Sequence, residues 1–190
     1  MGPAATVASP LFIARCVWYI LPAYIGNMAP LVVAMFMRGT FAFPLDCNQT
    51  LNGTRIFGPN KTWRGVFAGV TSAMGVASLQ SILYAFPPAR TLRIGPNDQV
   101  DPVWWGLLMG LGALSGDAVK SFVKRRRGIA PGQSWKPFDQ IDFLIGALAF
   151  SSIAFRPPWT VYAGILVVMP VVKVLVGSTG YALGLRPTKW

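Results

Sequence analysis

Three of the chain's six carboxylates fall in one polar stretch, at Asp117, Asp139 and Asp142, with Lys120, Lys124, Arg125, Arg126, Arg127 and Lys136 between them. On a helix, Asp117, Lys120, Ser121 and Lys124 stand at i, i+3, i+4 and i+7 and share one face. Asp139 and Asp142 are i and i+3 and share a face of their own, and Gly146 leaves a small gap one turn further on. Carboxylates that converge beside several cations can hold Mg²⁺ and a polyphosphate together, because hard oxygen ligands suit the metal and ammonium or guanidinium groups suit the phosphates. A simpler use exists for each part. Asp117 can pair with Lys120 or Lys124 at a surface, and Arg125 to Arg127 can mark topology or touch lipid head groups. The basic triplet taken alone reads that way, but carboxylates near membrane depth are costly and mark function.

A second segment, Phe57-Gly58-Pro59-Asn60-Lys61-Thr62-Trp63-Arg64-Gly65, carries phosphate chemistry of its own. Gly58 and Pro59 fix a turn, and Lys61, Thr62 and Arg64 offer donors to phosphate oxygens. It is not a Walker loop, which needs Gly-x-x-x-x-Gly-Lys-Ser/Thr. Trp63 reads equally as a stacking platform and as an interfacial anchor. The chain has no His and no Glu, and the remaining acids are Asp46, Asp98 and Asp101. Cys16 and Cys47 lack metal-site spacing, and no disulfide is expected between them.

The elements that position these residues are set by hydrophobicity. Of 190 residues, 53% are hydrophobic and 12% charged, about half the ~25% charge of a soluble domain. The net charge of +11 alternates with long apolar runs, which fits a positive-inside bias and not a nucleic-acid surface. A spanning helix needs ~20 apolar residues. The pattern predicts an all-α integral membrane protein, a single domain over residues 1–190 with about five transmembrane helices and two polar cytoplasmic loops.

The first span covers residues 10–37, with Pro22 and Pro30 expected to kink or break it. A polar loop at 38–64 follows, then a span at 65–86 and a connection at 87–102 with a turn at Gly95 to Asp98. The third span runs from 103 to 116 and continues as an amphipathic segment through Val123, before a basic loop at 124–136. The fourth span is 139–155, and the fifth, after the turn Arg156-Pro157-Pro158, is 159–185. Gly106, Gly110, Gly112 and Gly116 read as a close helix-packing face. Lys173 lies at a depth similar to that of Asp117 and either faces the polar site or snorkels.

The basic loops, with Arg186 and Lys189 of the tail, place the C-terminus and the polar site in the cytoplasm and the N-terminus outside. Asn48-Gln49-Thr50, Asn52-Gly53-Thr54 and Asn60-Lys61-Thr62 are glycosylation-type triplets that would favour the opposite orientation if used, and the charge bias outweighs them. No basic residue precedes Arg15, so the N-terminus does not read as a signal peptide.

Gly116-Asp117 followed by Lys120-Ser121-Phe122-Val123-Lys124-Arg125 resembles the core of the integral-membrane CTP-dependent cytidylyltransferases. The bacterial and eukaryotic branch continues to Pro-Gly-His-Gly-Gly and Asp-Arg-x-Asp, where this chain has Pro131-Gly132-Gln133-Ser134 and Asp139-Gln140-Ile141-Asp142. The histidine is absent here and the intervening loop is shorter. Phe57-Gly58-Pro59-Asn60-Lys61-Thr62 with Arg64-Gly65, and Trp135-Lys136-Pro137-Phe138-Asp139-Gln140-Ile141-Asp142-Phe143, are more similar to the archaeal branch, the CDP-archaeol synthases. The resemblance covers essentially the whole chain.

What the resemblance implies is transfer of CMP from CTP to 2,3-di-O-geranylgeranylglycerol-1-phosphate, giving CDP-archaeol and pyrophosphate, with Mg²⁺ as cofactor. It points to Asp117, Asp139 and Asp142 as the metal site. Lys120, Lys124 and Arg125 would then take phosphate oxygens, and Asn60, Lys61, Thr62 and Arg64 would cradle CTP. The missing His and Glu accord with that reaction: the second pKa of a phosphate monoester is near ~6, so a lipid phosphate nucleophile needs no general base. Two other classes bear comparison. A CDP-alcohol phosphotransferase would need Asp-x-x-Asp-Gly-x-x-Ala-Arg, but Phe143 and Leu144 follow Asp142. A membrane transporter or channel for an anionic solute would spread its polar residues through several spans.

Overall fold

The computed structural model describes residues 9–37, 39–94, 100–135 and 138–182. The Gly95 to Asp98 turn, Arg38, Lys136 and Pro137, the tail with Arg186 and Lys189, and the side chain of Lys173 lie outside the described residues.

Helix α1 (Pro10–Phe36) starts where the Ser9 hydroxyl accepts from the Phe12 amide at 3.1 Å, with Pro10 in the first turn. It stays one helix through Pro22 and Pro30, so neither proline breaks it. The loop that follows carries an element the all-helical expectation lacked, an antiparallel hairpin of β1 (Thr50–Leu51) and β2 (Thr54–Arg55). Its turn is Asn52-Gly53, with φ of +50° and +73°, the double left-handed arrangement that suits the right-handed twist of a two-residue hairpin.

Helix α2 (Trp63–Leu83) is capped by Thr62, whose hydroxyl accepts from Gly65 N at 3.2 Å. A short α3 (Pro87–Thr91) leads to α4 (Pro102–Arg126), capped by Asp101 on the Trp104 amide at 2.8 Å. Lys124, Arg125 and Arg126 are not loop residues; they form the last turn of α4, where cations meet the negative end of the helix dipole.

Helix α5 (Phe138–Ser151) has only 14 residues. At ~1.5 Å per residue it is ~21 Å long, short of a ~30 Å hydrocarbon core. The predicted span to residue 155 is therefore corrected, since the chain turns at 152–154. There the amides of Ile153 and Ala154 donate to the Phe150 and Ser151 carbonyls, three residues back, at 3.1 Å each, a tightened turn that ends the helix. Helix α6 (Trp159–Ala182) ends the described chain.

Helix α4 is central, packed along α2 on one side and α5 on the other, with α1 across it. Ile20, Met109, Phe143, Leu144 and Ile165 are fully buried and tie α1, α4, α5 and α6 into one core. The outside is apolar as well, with Phe36, Phe67, Ile82, Ile153 and Val167 all largely exposed. An exterior of that kind fits lipid and not water. Helices α1 and α2 are long and apolar enough to cross a membrane.

The α4–α5 contact fixes the site. A Cβ on Gly116 would lie 2.2 Å from the Asp142 carbonyl oxygen, and one on Gly146 would lie 2.1 Å from that of Gly112. The backbones touch, as expected of the small-residue face, and Asp142 is held directly opposite the turn that carries Asp117.

Candidate active site

The polar residues of α4 and α5 meet on one nitrogen. The Lys120 ammonium lies 3.0 Å from Asp117 Oδ1, 3.2 Å from Asp139 Oδ1 and 2.6 Å from Asp142 Oδ2. Lys124 Nζ is 3.4 Å from Asp139 Oδ1 and donates to the Gln133 carbonyl. From the preceding loop, Lys61 crosses to pair with Asp117 Oδ2. Three carboxylates and three ammonium groups thus interleave, which is how so much charge is tolerated at a bundle end.

Each member is placed by local structure. Asp139 sits in the first turn of α5, where its Oδ2 accepts from the Trp135 amide and its charge faces the positive end of the helix. Asp142 is the most enclosed, at 6% side-chain exposure. Among the described residues, its one cation within ion-pair reach is the Lys120 ammonium, on Oδ2.

The donor set fits a hard divalent cation, being all carboxylate oxygen. Among the described residues, no three carboxylates stand as a ready-made cage, because the point on which they converge is taken by Lys120. Asp117 and Asp142, with Asp139 in support, are the residues that would hold Mg²⁺ once the lysine side chain turned aside.

Two clefts open on this centre. One, about 470 Å³, lies between the Phe57–Lys61 loop and α4 and is bordered by Asn60, Lys61, Asp117, Lys120, Lys124 and Arg125. Arg125 is 8% exposed, and its Nε has no hydrogen-bond partner. The other, about 940 Å³, is a largely apolar groove between α4 and α5, running from Trp135 and Phe138 past Val119 and Ile145 to Phe150. Lys120 borders both clefts; Asp117 lines the first and Asp142 the second.

Not every residue read from the sequence reaches the clefts. Thr62 caps α2, and Arg64 Nη1 donates to the Met37 carbonyl at 2.5 Å and to that of Thr40. Neither lines the polar cleft, nor does Trp63, which is 47% exposed on the first turn of α2. Arg126 serves structure as well. Its guanidinium reaches the hairpin carbonyls of Leu51 at 2.5 Å and of Thr54 and Arg55 at 2.9 Å each. Arg127 stacks over Trp135 at 5.1 Å.

Sequence reasoning missed Asp46. Its fully buried carboxylate accepts from Arg55 Nη2 at 2.5 Å and from the amides of Asn48, Phe57 and Gly58 at 3.1 Å each. Burial alone would raise the Asp46 carboxyl, but Arg55 and the three amides overcome it and hold the pKa at about 2. The Asn52-Gly53 pair was the available signal, because a hairpin there folds Arg55 back toward Asp46.

The sequence profile of the CarS-like family, described as CDP-archaeol synthase, matches residues 11–190. The CDP-archaeol synthase of Pyrococcus furiosus is 34% identical over 174 residues, 91% of this chain and 95% of that one. That of Pyrococcus abyssi is 35% identical over 184 residues, covering 96% and 99%. Among solved structures, an intramembrane enzyme for archaeal membrane lipid biosynthesis superposes with a TM-score of 0.67 at 28% identity, covering 84% of this chain and 90% of that one.

Proposed function

The chain belongs to the CDP-archaeol synthase family of membrane enzymes, and from that premise we propose that it transfers CMP from CTP to an isoprenoid glycerol phosphate in the bilayer, with Mg²⁺ as cofactor. One observation carries the reading: a polar cleft and an apolar groove share Lys120 as their common wall. A reaction between a soluble triphosphate and a lipid-borne phosphate needs such a junction.

In this reading CTP enters the polar cleft, where Asn60, Lys61, Lys124 and Arg125 take its phosphate oxygens, while Thr62 and Arg64 hold the loop in place. The isoprenoid chains of 2,3-di-O-geranylgeranylglycerol-1-phosphate lie in the groove, and its phosphate reaches Lys120. One lipid phosphate oxygen attacks the α-phosphorus in line. A new P–O bond forms as the bond to the β-phosphate breaks, and pyrophosphate leaves with the electron pair. Lys120 bridges the two anions and offsets their repulsion, and Lys61 and Arg125 stabilise charge on the leaving pyrophosphate. Asp117 and Asp142 would hold Mg²⁺, which when bound would supply further neutralisation of phosphate charge.

The orientation follows from charge. Lys61, Arg64, Lys120 and Lys124 to Arg127 cluster at the site's end of the bundle, and Arg15, Arg90, Arg93 and Arg156 at the other. The positive-inside bias puts the site and the C-terminus in the cytoplasm, beside the nucleotide supply, and the N-terminus outside. Five helices then sit in the bilayer, with α5 reaching only part of the way.

Filling the groove tests this assignment. Ile145→Trp, on its exposed wall, is expected to raise KM for the lipid phosphate about tenfold, roughly 1.4 kcal/mol of lost binding, with KM for CTP unchanged. Steady-state kinetics in mixed micelles read both constants. An unchanged lipid KM would count against the groove as the lipid site.

A further inference from the structure

We infer that Asp46 is the positioning residue of the nucleotide cleft: its carboxylate sets the fold of the Phe57–Lys61 loop and, through it, the reach of Lys61 to Asp117. The inference rests on the proposal that CTP occupies this cleft.

Asp46 lies outside the cleft lining and touches neither α4 nor α5 through any contact described above. It acts on the loop backbone. Its Oδ2 takes the consecutive amides of Phe57 and Gly58, and its Oδ1 takes Arg55 Nη2 and the amide of Asn48. One carboxylate therefore fastens both sides of the hairpin to the start of the nucleotide loop. Gly58 adopts φ +97°, a conformation that favours glycine and that turns the chain over the Arg125 side chain. A Cβ there would lie 3.7 Å from Arg125 Cδ, so the turn sits directly on a cleft-lining cation.

The chain then returns. Lys61 N donates to the Gly58 carbonyl at 3.5 Å, and the Lys61 carbonyl accepts from Leu45 N at 2.7 Å, one residue before Asp46. The loop is closed at both ends on the same short segment, and Lys61 leaves it pointing at Asp117. Arg126, in the last turn of α4, holds three hairpin carbonyls and so ties this assembly to the helix that carries Asp117 and Lys120.

A side chain buried this fully, with four donors and no cleft contact, has an effect on nucleotide binding that differs from that of a phosphate ligand. Loss of its charge frees two loop amides and the turn at Gly58, so Lys61 no longer arrives pre-ordered and binding must order it. The lipid groove, on the other side of α4 between Val119 and Ile145, is untouched.

The test is Asp46→Asn, which keeps the shape and removes the charge, with Arg126→Gln as a second variant that leaves Asp46 intact. Expected for Asp46→Asn is a rise in KM for CTP of about tenfold or more, with kcat at saturating CTP within about twofold and lipid KM unchanged. Arg126→Gln should move the same constant in the same direction by less. A merely structural role predicts the reverse split, a lower apparent kcat from a smaller folded fraction with KM for CTP unchanged, and that result overturns the inference. If Asp46→Asn does not fold, Arg126→Gln decides alone, with an unchanged KM for CTP overturning it. CTP binding to the wild-type protein without lipid separates the two levels. If wild type binds CTP and Lys61→Ala does not weaken it, the cleft assignment fails. If Lys61→Ala weakens it and Asp46→Asn does not, only the positioning role fails.

Discussion

Asp142→Asn and Asp117→Asn are each expected to lower CDP-lipid formation by about a thousandfold or more, roughly 4 kcal/mol of lost transition-state stabilisation. The substitution keeps the shape and removes the charge. At Asp142 the lost charge is the most enclosed of the three, and it lies on the groove side of Lys120. In Asp142→Asn the fold should survive, because Lys120 keeps Asp117 at 3.0 Å and Asp139 at 3.2 Å as counter-charges; in Asp117→Asn, Lys120 still has Asp139 and Asp142. Turnover and thermal unfolding measured on the same purified variants separate the two effects. A folded variant with near-normal turnover would remove that carboxylate from the metal assignment.

The second large effect is expected from Gly146→Val. Its Cβ would meet the Gly112 carbonyl oxygen at 2.1 Å and the Gly116 nitrogen at 2.9 Å, both backbone atoms of α4 that no rotamer change can move. The helices must separate, at a cost of 1–3 kcal/mol or more by the usual scale of overpacking. Separation also draws Asp142 away from Lys120 and Asp117. Specific activity should therefore fall by much more than the loss of folded protein explains. Gly75→Ala is the control. A Cβ at Gly75, on the exposed face of α2, meets nothing within 4 Å. There the change should be neutral or stabilising by up to about 1 kcal/mol. Thermal unfolding in detergent with matched assays checks both, and equal effects at the two glycines would contradict the close-contact account.

The helices and much of the acid–cation centre are legible in the sequence, because both follow from local spacing. Asp117, Lys120 and Lys124 share a face by helical period, as do Asp139 and Asp142, and the structure keeps both faces. What spacing cannot show is the register between α4 and α5. That register comes from backbone contact at Gly112, Gly116 and Gly146, and it alone brings three carboxylates onto one ammonium.

Other residues were read by type where position decided. Thr62 stands immediately before a helix, where a hydroxyl caps, and Arg64 finds carbonyls at the end of α1. Asn52-Gly53 reads as part of a glycosylation-type triplet and folds as a hairpin turn. Arg126, within a triplet that reads as a topology mark, is what binds that hairpin to α4. In each case a backbone group is the partner, and backbone partners leave no pattern in composition. The end of α5 at Ser151 was hidden for the same reason: the residues to Phe155 stay mostly apolar, while the turn is made by the backbone amides of Ile153 and Ala154 on the Phe150 and Ser151 carbonyls.

In the proposed reaction, one end of this bundle joins a soluble nucleotide to a lipid phosphate. Purified protein in lipid nanodiscs, given 2,3-di-O-geranylgeranylglycerol-1-phosphate and Mg²⁺, tests it with CTP labelled at either the α- or the γ-phosphate. α-Label is expected in the lipid phase and γ-label only in aqueous pyrophosphate, with transfer abolished by chelation of the metal. Absence of α-label from the lipid, or arrival of γ-label in it, would rule out CMP transfer to the lipid phosphate.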